Sequence, residues 1–162
     1  MTIKSIAETI LDYRCLDYLK YDTLSAKHHF FICIFDDSED FGINLINGDI
    51  DQLLSFIGQV SHDSLDRLKE MIKLSIGDYE DIYLLYFVLF HEEGHWLEFL
   101  DSGLDSKAFL ASIDISDYQG RLRTASPAEY NLLYRSNIYE KRADAHALKR
   151  LKEYVNVKSE LL

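Results

Sequence analysis

The segment YLLYFVLFHEEGHWLEFL constrains this chain most, because it carries the motif H-E-x-x-H at residues 91–95. In a helix, His91 and His95 lie one turn apart on the same face. At that spacing both imidazoles can bind one Zn²⁺ ion, at about 2.0–2.1 Å each. Glu92 then lies beside the metal, where its carboxylate can take a proton from a water molecule. The motif therefore predicts a zinc site with Glu92 as the general base.

The surroundings of the motif favour a buried helix over 79–100. This segment has no proline, has glycine only at Gly94, and carries apolar side chains on nearly every side, as a central helix does. Burying polar groups there without partners costs about 1–3 kcal/mol each, and a bound metal removes that cost. Glycine inside a helix is about 1 kcal/mol worse than alanine, so we expect Gly94 to admit another backbone. The alternative is a buried helix whose histidines find partners without a metal.

A second long helix is predicted over 127–155 and is expected to supply the third zinc ligand. Pro127, the only proline of the chain, suits the first turn of this helix, with Ser126 as the N-cap. Glu129 favours the same start through the helix dipole. The metzincin alternative, which needs a third histidine six residues after the motif, fails because Asp101 stands there.

Glu140 lies on the inward face of this second helix, by a count of 100° per residue. The same face carries small residues such as Ala143 and Ala147, and a second acid, Asp144. Metal coordination explains an acidic pair on an inward face. Glu140 binds the zinc, and Asp144 accepts the N–H of a liganding histidine and fixes its tautomer. The alternative is that Glu140 forms surface pairs with its helix neighbours, worth only about 0.2–0.5 kcal/mol.

Together, the motifs H-E-E-G-H at 91–95 and E-K-R-A-D at 140–144 resemble the gluzincin pattern H-E-x-G-H … E-x-x-A-D. That pattern occurs in the prenyl-protein and heat-shock membrane metallopeptidases and, in looser form, in the ImmA/IrrE-type peptidases. The resemblance covers about 91–147. The sequence shows neither the transmembrane helices of the membrane enzymes nor the F-A-x-x-L-L-x-P ending of ImmA/IrrE-type chains. The resemblance implies three zinc ligands and a general base, namely His91, His95, Glu140 and, as the base, Glu92.

Length and composition predict one domain, 1–162. The chain has 162 residues, 48% of them hydrophobic, and no linker rich in proline, glycine or serine divides it. That length suits one well-packed core and is short for two. The expected fold class is α+β: a mostly helical zincin-like minimal domain, with a small antiparallel sheet preceding the metal-binding helix.

Hydrophobic periodicity and turn residues predict the remaining elements. Helices are expected over 3–20, 50–58, 62–76 and 105–111. Strands are expected over 28–35 and 41–47, with His28 and His29 as strand residues rather than metal ligands. The resemblance to zincin-like folds implies that the exposed edge of this sheet binds an extended peptide by strand addition.

Charge and apolar runs limit the partners. A net charge of −11 argues against nucleic acid, whose binding needs clustered lysine and arginine. The longest apolar run, 82–90, is far below the roughly 20 residues that span a bilayer. No secretory leader is recognised, and Cys15 and Cys33 carry no disulfide or zinc-motif spacing. We therefore expect a cytoplasmic protein with no membrane or nucleic-acid partner; its oligomeric state is open.

The leading functional prediction is zinc-dependent hydrolysis of a peptide bond, with a peptide or protein as the substrate. The alternative is a non-catalytic, zinc-stabilised protein-binding module, which needs the metal ligands but not Glu92. A DNA-bound peptidase needs a basic groove that this composition does not offer. The donor that stabilises the oxyanion stays open, because helical angles place none of the nearest candidates well: Tyr134, Arg135, Tyr139 and His146.

Overall fold

A computed structural model describes residues 2–22, 31–36, 38–60, 62–113, 125–126, 129, 133 and 136–160 of the chain. Its helices are α1 (Ile3–Ile10), α2 (Tyr13–Leu16), α3 (Ile50–Val60), α4 (His62–Ile76), α5 (Asp81–Ser102), α6 (Ser106–Ile113) and α7 (Ile138–Glu160). Its strands are β1 (Leu19–Asp22), β2 (Ile32–Ile34) and β3 (Gly42–Ile46). Helices dominate and the sheet is small, which confirms the mostly helical α+β class.

The single helix predicted over 3–20 is wrong beyond Ile10. At Leu11 the backbone turns to an extended conformation, with φ −75° and ψ 154°. Asp12 then caps α2 by accepting a hydrogen bond from the Arg14 amide at 2.9 Å. The break leaves the Ile10 carbonyl and the Asp12 amide available for side chains of the two long helices. Arg150 of α7 donates to the carbonyl, and Glu93 of α5 accepts from the amide.

The sheet is mixed rather than antiparallel as expected. Its strand order is β1-β3-β2, with β2 antiparallel and β1 parallel to the central strand β3. Every residue of β3 is buried, so its backbone groups need partners on both edges, and β1 supplies the second edge. The apolar residues of 3–20 recur at helical spacing, so the sequence predicts a helix where this strand begins. Gly42 has φ 138°, and a β-carbon there would collide with the Tyr18 carbonyl oxygen.

Most other elements agree with the predictions. α3, α4 and α6 confirm the helices expected over 50–58, 62–76 and 105–111, and β3 confirms the strand expected over 41–47. The strand expected over 28–35 is shorter in its described part, where β2 begins at Ile32. His28 and His29 lie outside the described residues.

α5 runs through the centre of the fold. Thirteen of its residues are buried, and it ends at Gly103, which has the left-handed φ of 63° common after helices. One side of α5 meets the sheet and α6 through an aromatic cluster, formed by Phe35, Phe41, Trp96, Phe99 and Phe109. Another side meets α7, in the most extensive contact between two described elements.

The helix predicted over 127–155 is interrupted at Asn137 and extends further at its C-terminal end; the residues described before the break, Glu129, Leu133 and Ser136, are helical. Ser126 and Glu129 exchange hydrogen bonds, as a capping box does, which agrees with the expected cap. The long helix α7, however, begins at Ile138 and continues to Glu160. The Asn137 side chain accepts the Tyr139 amide at 2.7 Å, because asparagine competes for backbone amides and caps a new helix there.

Among the described helices, none combines the length and the hydropathy needed to cross a lipid bilayer.

Candidate metal centre

The two ligand-bearing helices cross at Gly94, as the glycine predicts. A β-carbon added to Gly94 would lie 3.2 Å from the Ala143 Cα and 3.2 Å from the His146 Cβ. Those distances are shorter than ordinary van der Waals contact between carbon atoms. The absence of a side chain on Gly94 therefore lets α7 come close enough to place its acids beside the imidazoles of α5.

The structure brings the three predicted ligands together. The His91 Nε2 lies 3.1 Å from the His95 Nε2. The Glu140 Oε2 lies 3.2 Å from the His91 Nε2 and 3.5 Å from the His95 Nε2. Ligands of a tetrahedral zinc ion, at about 2.0–2.1 Å from the metal, lie about 3.3–3.4 Å from one another. The triangle of donor atoms therefore has the size that a metal ion of this kind needs.

Burial of the group supports the same reading. The exposed fractions of His91, His95 and Glu140 are 7%, 5% and 8%. The Glu140 Oε2 is fully buried and forms no aligned hydrogen bond with any described residue. A buried carboxylate in contact with two imidazole nitrogens needs positive charge beside it, because burying an uncompensated charge costs free energy. A cation at the centre of the triangle can supply that charge, so these residues fit a metal ion.

Asp144 contacts one of the predicted ligands, as the sequence predicts. Its Oδ1 lies 2.9 Å from the His91 Nδ1. In this pairing the Nδ1–H group donates a hydrogen bond to the carboxylate, which leaves the Nε2 of the ring for a metal. The hydrogen bond also fixes the orientation of the imidazole ring.

The pKa values of His91 and Glu140 reflect this pairing. Burial alone lowers the pKa of His91, but the hydrogen bond to Asp144 and the carboxylates of Glu140 and Glu92 outweigh it and raise the pKa to about 9. Burial raises the pKa of Glu140, but the adjacent imidazoles of His91 and His95 outweigh it and hold that pKa well below its ordinary value. Without a metal, His91 is therefore protonated and Glu140 ionised at neutral pH.

His95 is held differently from His91. Its Nδ1 is buried and has no hydrogen-bond partner among the described residues. Its ring stacks on the Tyr139 ring, with centroids 4.0 Å apart and planes at 26°. Helical angles alone do not suggest this contact, although Tyr139 directly precedes Glu140. The Tyr139 hydroxyl is also buried without a described partner.

Glu92 is buried next to the ligands and belongs to no ion pair between described residues. The Cys33 thiol donates a 3.2 Å hydrogen bond to the Glu92 carbonyl oxygen, which places β2 against this turn of α5. Burial, followed by the negative charge of Glu92, raises the pKa of Cys33 well above its ordinary value. Cys33 is therefore a neutral thiol, and it is not part of the metal-binding group.

Glu93 is the site residue that motif reasoning misses, because the motif leaves its position unspecified. Its side chain has no exposed surface. Its Oε1 accepts hydrogen bonds from the His146 Nε2 at 2.9 Å and the Arg150 Nε at 2.8 Å. His146 is thus a partner of Glu93 and not a donor facing the metal group. An acid inside an otherwise apolar helix, with an arginine on the partner helix, is the sequence signal for such a pair.

Two of the candidates for the oxyanion donor are not placed by the structure. Tyr134 and Arg135 lie outside the described residues. Arg142 of α7 is exposed and pairs with Glu98 of α5. Neither side chain of that pair is part of the metal-binding group.

Comparisons of the chain with protein-family models, curated proteins and solved structures find no match. The structure shows a buried His-His-Glu group from two helices that can hold a metal ion.

Proposed function

We propose that this protein is a zinc-dependent metallopeptidase of the gluzincin type. The observation that carries the proposal is the convergence of the donor atoms of His91, His95 and Glu140, with the carboxylate of Glu92 in the turn between the two histidines. The two motifs are 45 residues apart in the chain, from His95 to Glu140. Their meeting in space supports the interpretation of the pattern as one site.

The number and type of ligands favour zinc in a catalytic role. Two imidazole nitrogens and one carboxylate oxygen form a ligand set typical of catalytic zinc, whereas structural zinc sites have four protein ligands. Within the described part of the chain, no fourth His, Cys, Asp or Glu joins the group. A coordination position is therefore left for water or substrate.

The chemistry divides between the metal and Glu92. Zinc in such a site lowers the pKa of a bound water towards about 7 and polarises a substrate carbonyl. Glu92 accepts the proton of the attacking water and returns it to the leaving amine. Glu92 is buried and forms no ion pair with a described cation, which leaves its carboxylate available for the proton.

Tyr139 is our candidate for the donor that stabilises the oxyanion. Its ring covers His95, and its hydroxyl has no described hydrogen-bond partner. Burial, together with the negative charges of Glu92 and Glu140, raises the pKa of Tyr139. The hydroxyl therefore keeps its proton and can donate it in a hydrogen bond.

The edge of β2 is the proposed binding place for the peptide. Among the described strands, β2 pairs only with β3, and its Cys33 touches the backbone of Glu92. An extended peptide that adds to the other edge of β2 runs alongside the general base. Backbone hydrogen bonds hold a peptide in this way without demanding one sequence.

Metal content and turnover test the proposal together. We expect about one zinc per chain in the wild type by mass spectrometry, and loss of that zinc in Glu140→Ala. Glu92→Gln should keep the zinc and lose about 10²–10⁴-fold in turnover of a peptide library, because only the general base is removed. Glu98→Gln, an acid two turns along the same helix whose partner is the surface residue Arg142, should keep both. Full activity in Glu92→Gln rules this mechanism out.

The non-catalytic module is the second candidate, and the burial of all three ligands favours it. A structural metal is expected to be sheltered in this way. A zinc-loaded wild type that cleaves nothing in the library, and whose stability depends on the zinc, would support this candidate over the peptidase.

A further inference from the structure

We infer that Glu93, with His146 and Arg150, is a positioning cluster that sets α5 against α7 and so aligns the ligands of the metal site. The inference rests on the proposed function, because it assigns these residues a role in metal binding. It concerns side chains that touch neither the metal-binding group nor Glu92 in any described hydrogen bond.

The Glu93 carboxylate joins three parts of the chain. Its Oε1 accepts hydrogen bonds from the His146 Nε2 and the Arg150 Nε of α7, at 2.9 and 2.8 Å. Its Oε2 accepts the backbone amide of Asp12 at 2.6 Å. The Arg150 Nη2 in turn donates to the Ile10 carbonyl at 3.0 Å. The corner between α1 and α2 is thereby fixed to both long helices.

The cluster lies on the far side of the helix crossing from the metal group. On α5, Glu93 is about 200° around the helix from His91. On α7, His146 and Arg150 are about 240° and 280° around the helix from Glu140. The close contact at Gly94 lies between the two groups, since a β-carbon there would touch His146 on one side of the crossing.

Two separate contacts fix the rotation of one helix relative to another, whereas a single contact still allows that rotation. Rotating α7 about its own axis swings Glu140 away from the imidazoles, and the same rotation breaks the bonds from His146 and Arg150 to Glu93. These bonds are directional, and the carboxylate that receives them is fully buried. A buried ion pair contributes little net stability compared with well-packed apolar residues. The contribution of this one is therefore the fixed orientation that its hydrogen bonds give to α7 on α5.

The decisive variant is Glu93→Gln. Glutamine has one acceptor oxygen, so it cannot accept from His146, Arg150 and the Asp12 amide together. We expect the zinc affinity, measured by competition with a chromophoric chelator, to fall about tenfold or more. We also expect the visible absorption of the Co²⁺-loaded protein to change in position or intensity, because it reports the geometry of the ligands.

His146→Ala is a milder second variant, since the His146 side chain is 28% exposed and only one of the bonds to Glu93 is lost. It should change zinc affinity and the Co²⁺ spectrum in the same direction. The matched control is Glu98→Gln, which removes the ion pair with Arg142 between the same two helices at the surface. That control should change zinc affinity less than twofold. All affinities are measured at a temperature where circular dichroism shows each metal-free variant folded.

Stability loss and misalignment are separable in this design. A variant that is merely less stable still binds zinc with wild-type affinity while it is folded. Wild-type affinity and an unchanged Co²⁺ spectrum in both Glu93→Gln and His146→Ala overturn the positioning role and leave the peptidase proposal intact. A wild type that binds neither Zn²⁺ nor Co²⁺ overturns both.

Discussion

At the scale of single residues, the two histidines of the motif are held by different forces. A charged hydrogen bond to Asp144 orients His91, whereas aromatic stacking on Tyr139 positions His95. The orientation of His91 therefore depends on the charge of Asp144, and that of His95 depends on the packing of the Tyr139 ring. Substitutions at the two supporting positions should separate these effects.

Tyr139→Phe removes only a hydroxyl. Because that hydroxyl is buried without a described partner, we expect the free energy of unfolding to stay the same or rise by up to about 1 kcal/mol. Zinc affinity should not change, since the ring on His95 is kept, but turnover should fall about tenfold or more if the hydroxyl stabilises the oxyanion. Chemical denaturation, chelator competition and peptide cleavage measure the three effects. Tyr139→Leu, which loses the ring as well, should weaken zinc binding, and loss of stability in Tyr139→Phe would show a structural hydroxyl.

The pKa of His91 predicts opposite effects of pH on the metal-free and the metal-bound protein. The folded pKa of about 9 lies above the ordinary value of about 6.5. Protonated His91 therefore stabilises the metal-free fold below about pH 6.5, and this contribution is lost as the pH rises towards 9. Zinc must displace the proton, so zinc affinity should increase over the same range. Thermal melts of metal-free protein and chelator competition, both from pH 6 to 9.5, measure these trends.

Asp144→Asn is the control for that titration. It removes the charge of the strongest group that raises the pKa of His91, so the metal-free protein should lose less stability between pH 6.5 and 9. The same slope in wild type and Asp144→Asn would mean that another group titrates.

At the scale of elements, the separation of α5 and α7 at Gly94 controls the site. Gly94→Ala adds a β-carbon 3.2 Å from the Ala143 Cα, and that neighbour is backbone. Overpacking of this kind costs about 1–3 kcal/mol, against a gain of about 1 kcal/mol in helix propensity. We expect a lower Tm and weaker zinc binding, measured by thermal melts and chelator competition. Ala145→Leu, which adds bulk on the exposed side of α7, should change neither. A higher Tm with unchanged zinc affinity in Gly94→Ala would contradict the close crossing.

Elements whose limits depend on nearby residues were predictable from the sequence. The bounds of α3 and α4 follow from local periodicity, and α5 follows from its apolar sequence. The end of α1 was not predictable, because the groups that take its freed backbone atoms, Glu93 and Arg150, are about 80 and 140 residues away. β1 was missed for a similar reason: its partner is the opposite edge of β3.

The same distinction applies to the site. His91, His95, Glu140 and Asp144 follow from motif spacing and helical angle, and the structure places all four together. The contacts of Glu93, Tyr139 and Cys33 depend on how separate elements pack. Neither a motif nor a single helix contains that information.

At the scale of the whole molecule, a metal at this site links the centre of the fold to α7. A ligand that binds only the folded state stabilises it by about 2.7 kcal/mol at a free concentration 100 times its Kd. For a chain of this size we expect zinc at that excess to raise the Tm by about 5–10 °C. Calorimetry with zinc, and with chelator, measures the shift. Glu140→Ala should show almost none of it, and an equal shift in that variant would place the metal elsewhere.

The hydrogen bond from Arg150 to the Ile10 carbonyl joins residues 140 positions apart. Contacts between residues so far apart close a long loop, and the entropy cost of that loop slows folding. During synthesis, the corner after α1 therefore leaves the ribosome long before the helix that completes its polar contacts. Until α7 has been made, the Glu93 carboxylate has no arginine to pair with, and the nascent chain lacks Glu140, the third residue of the candidate metal site.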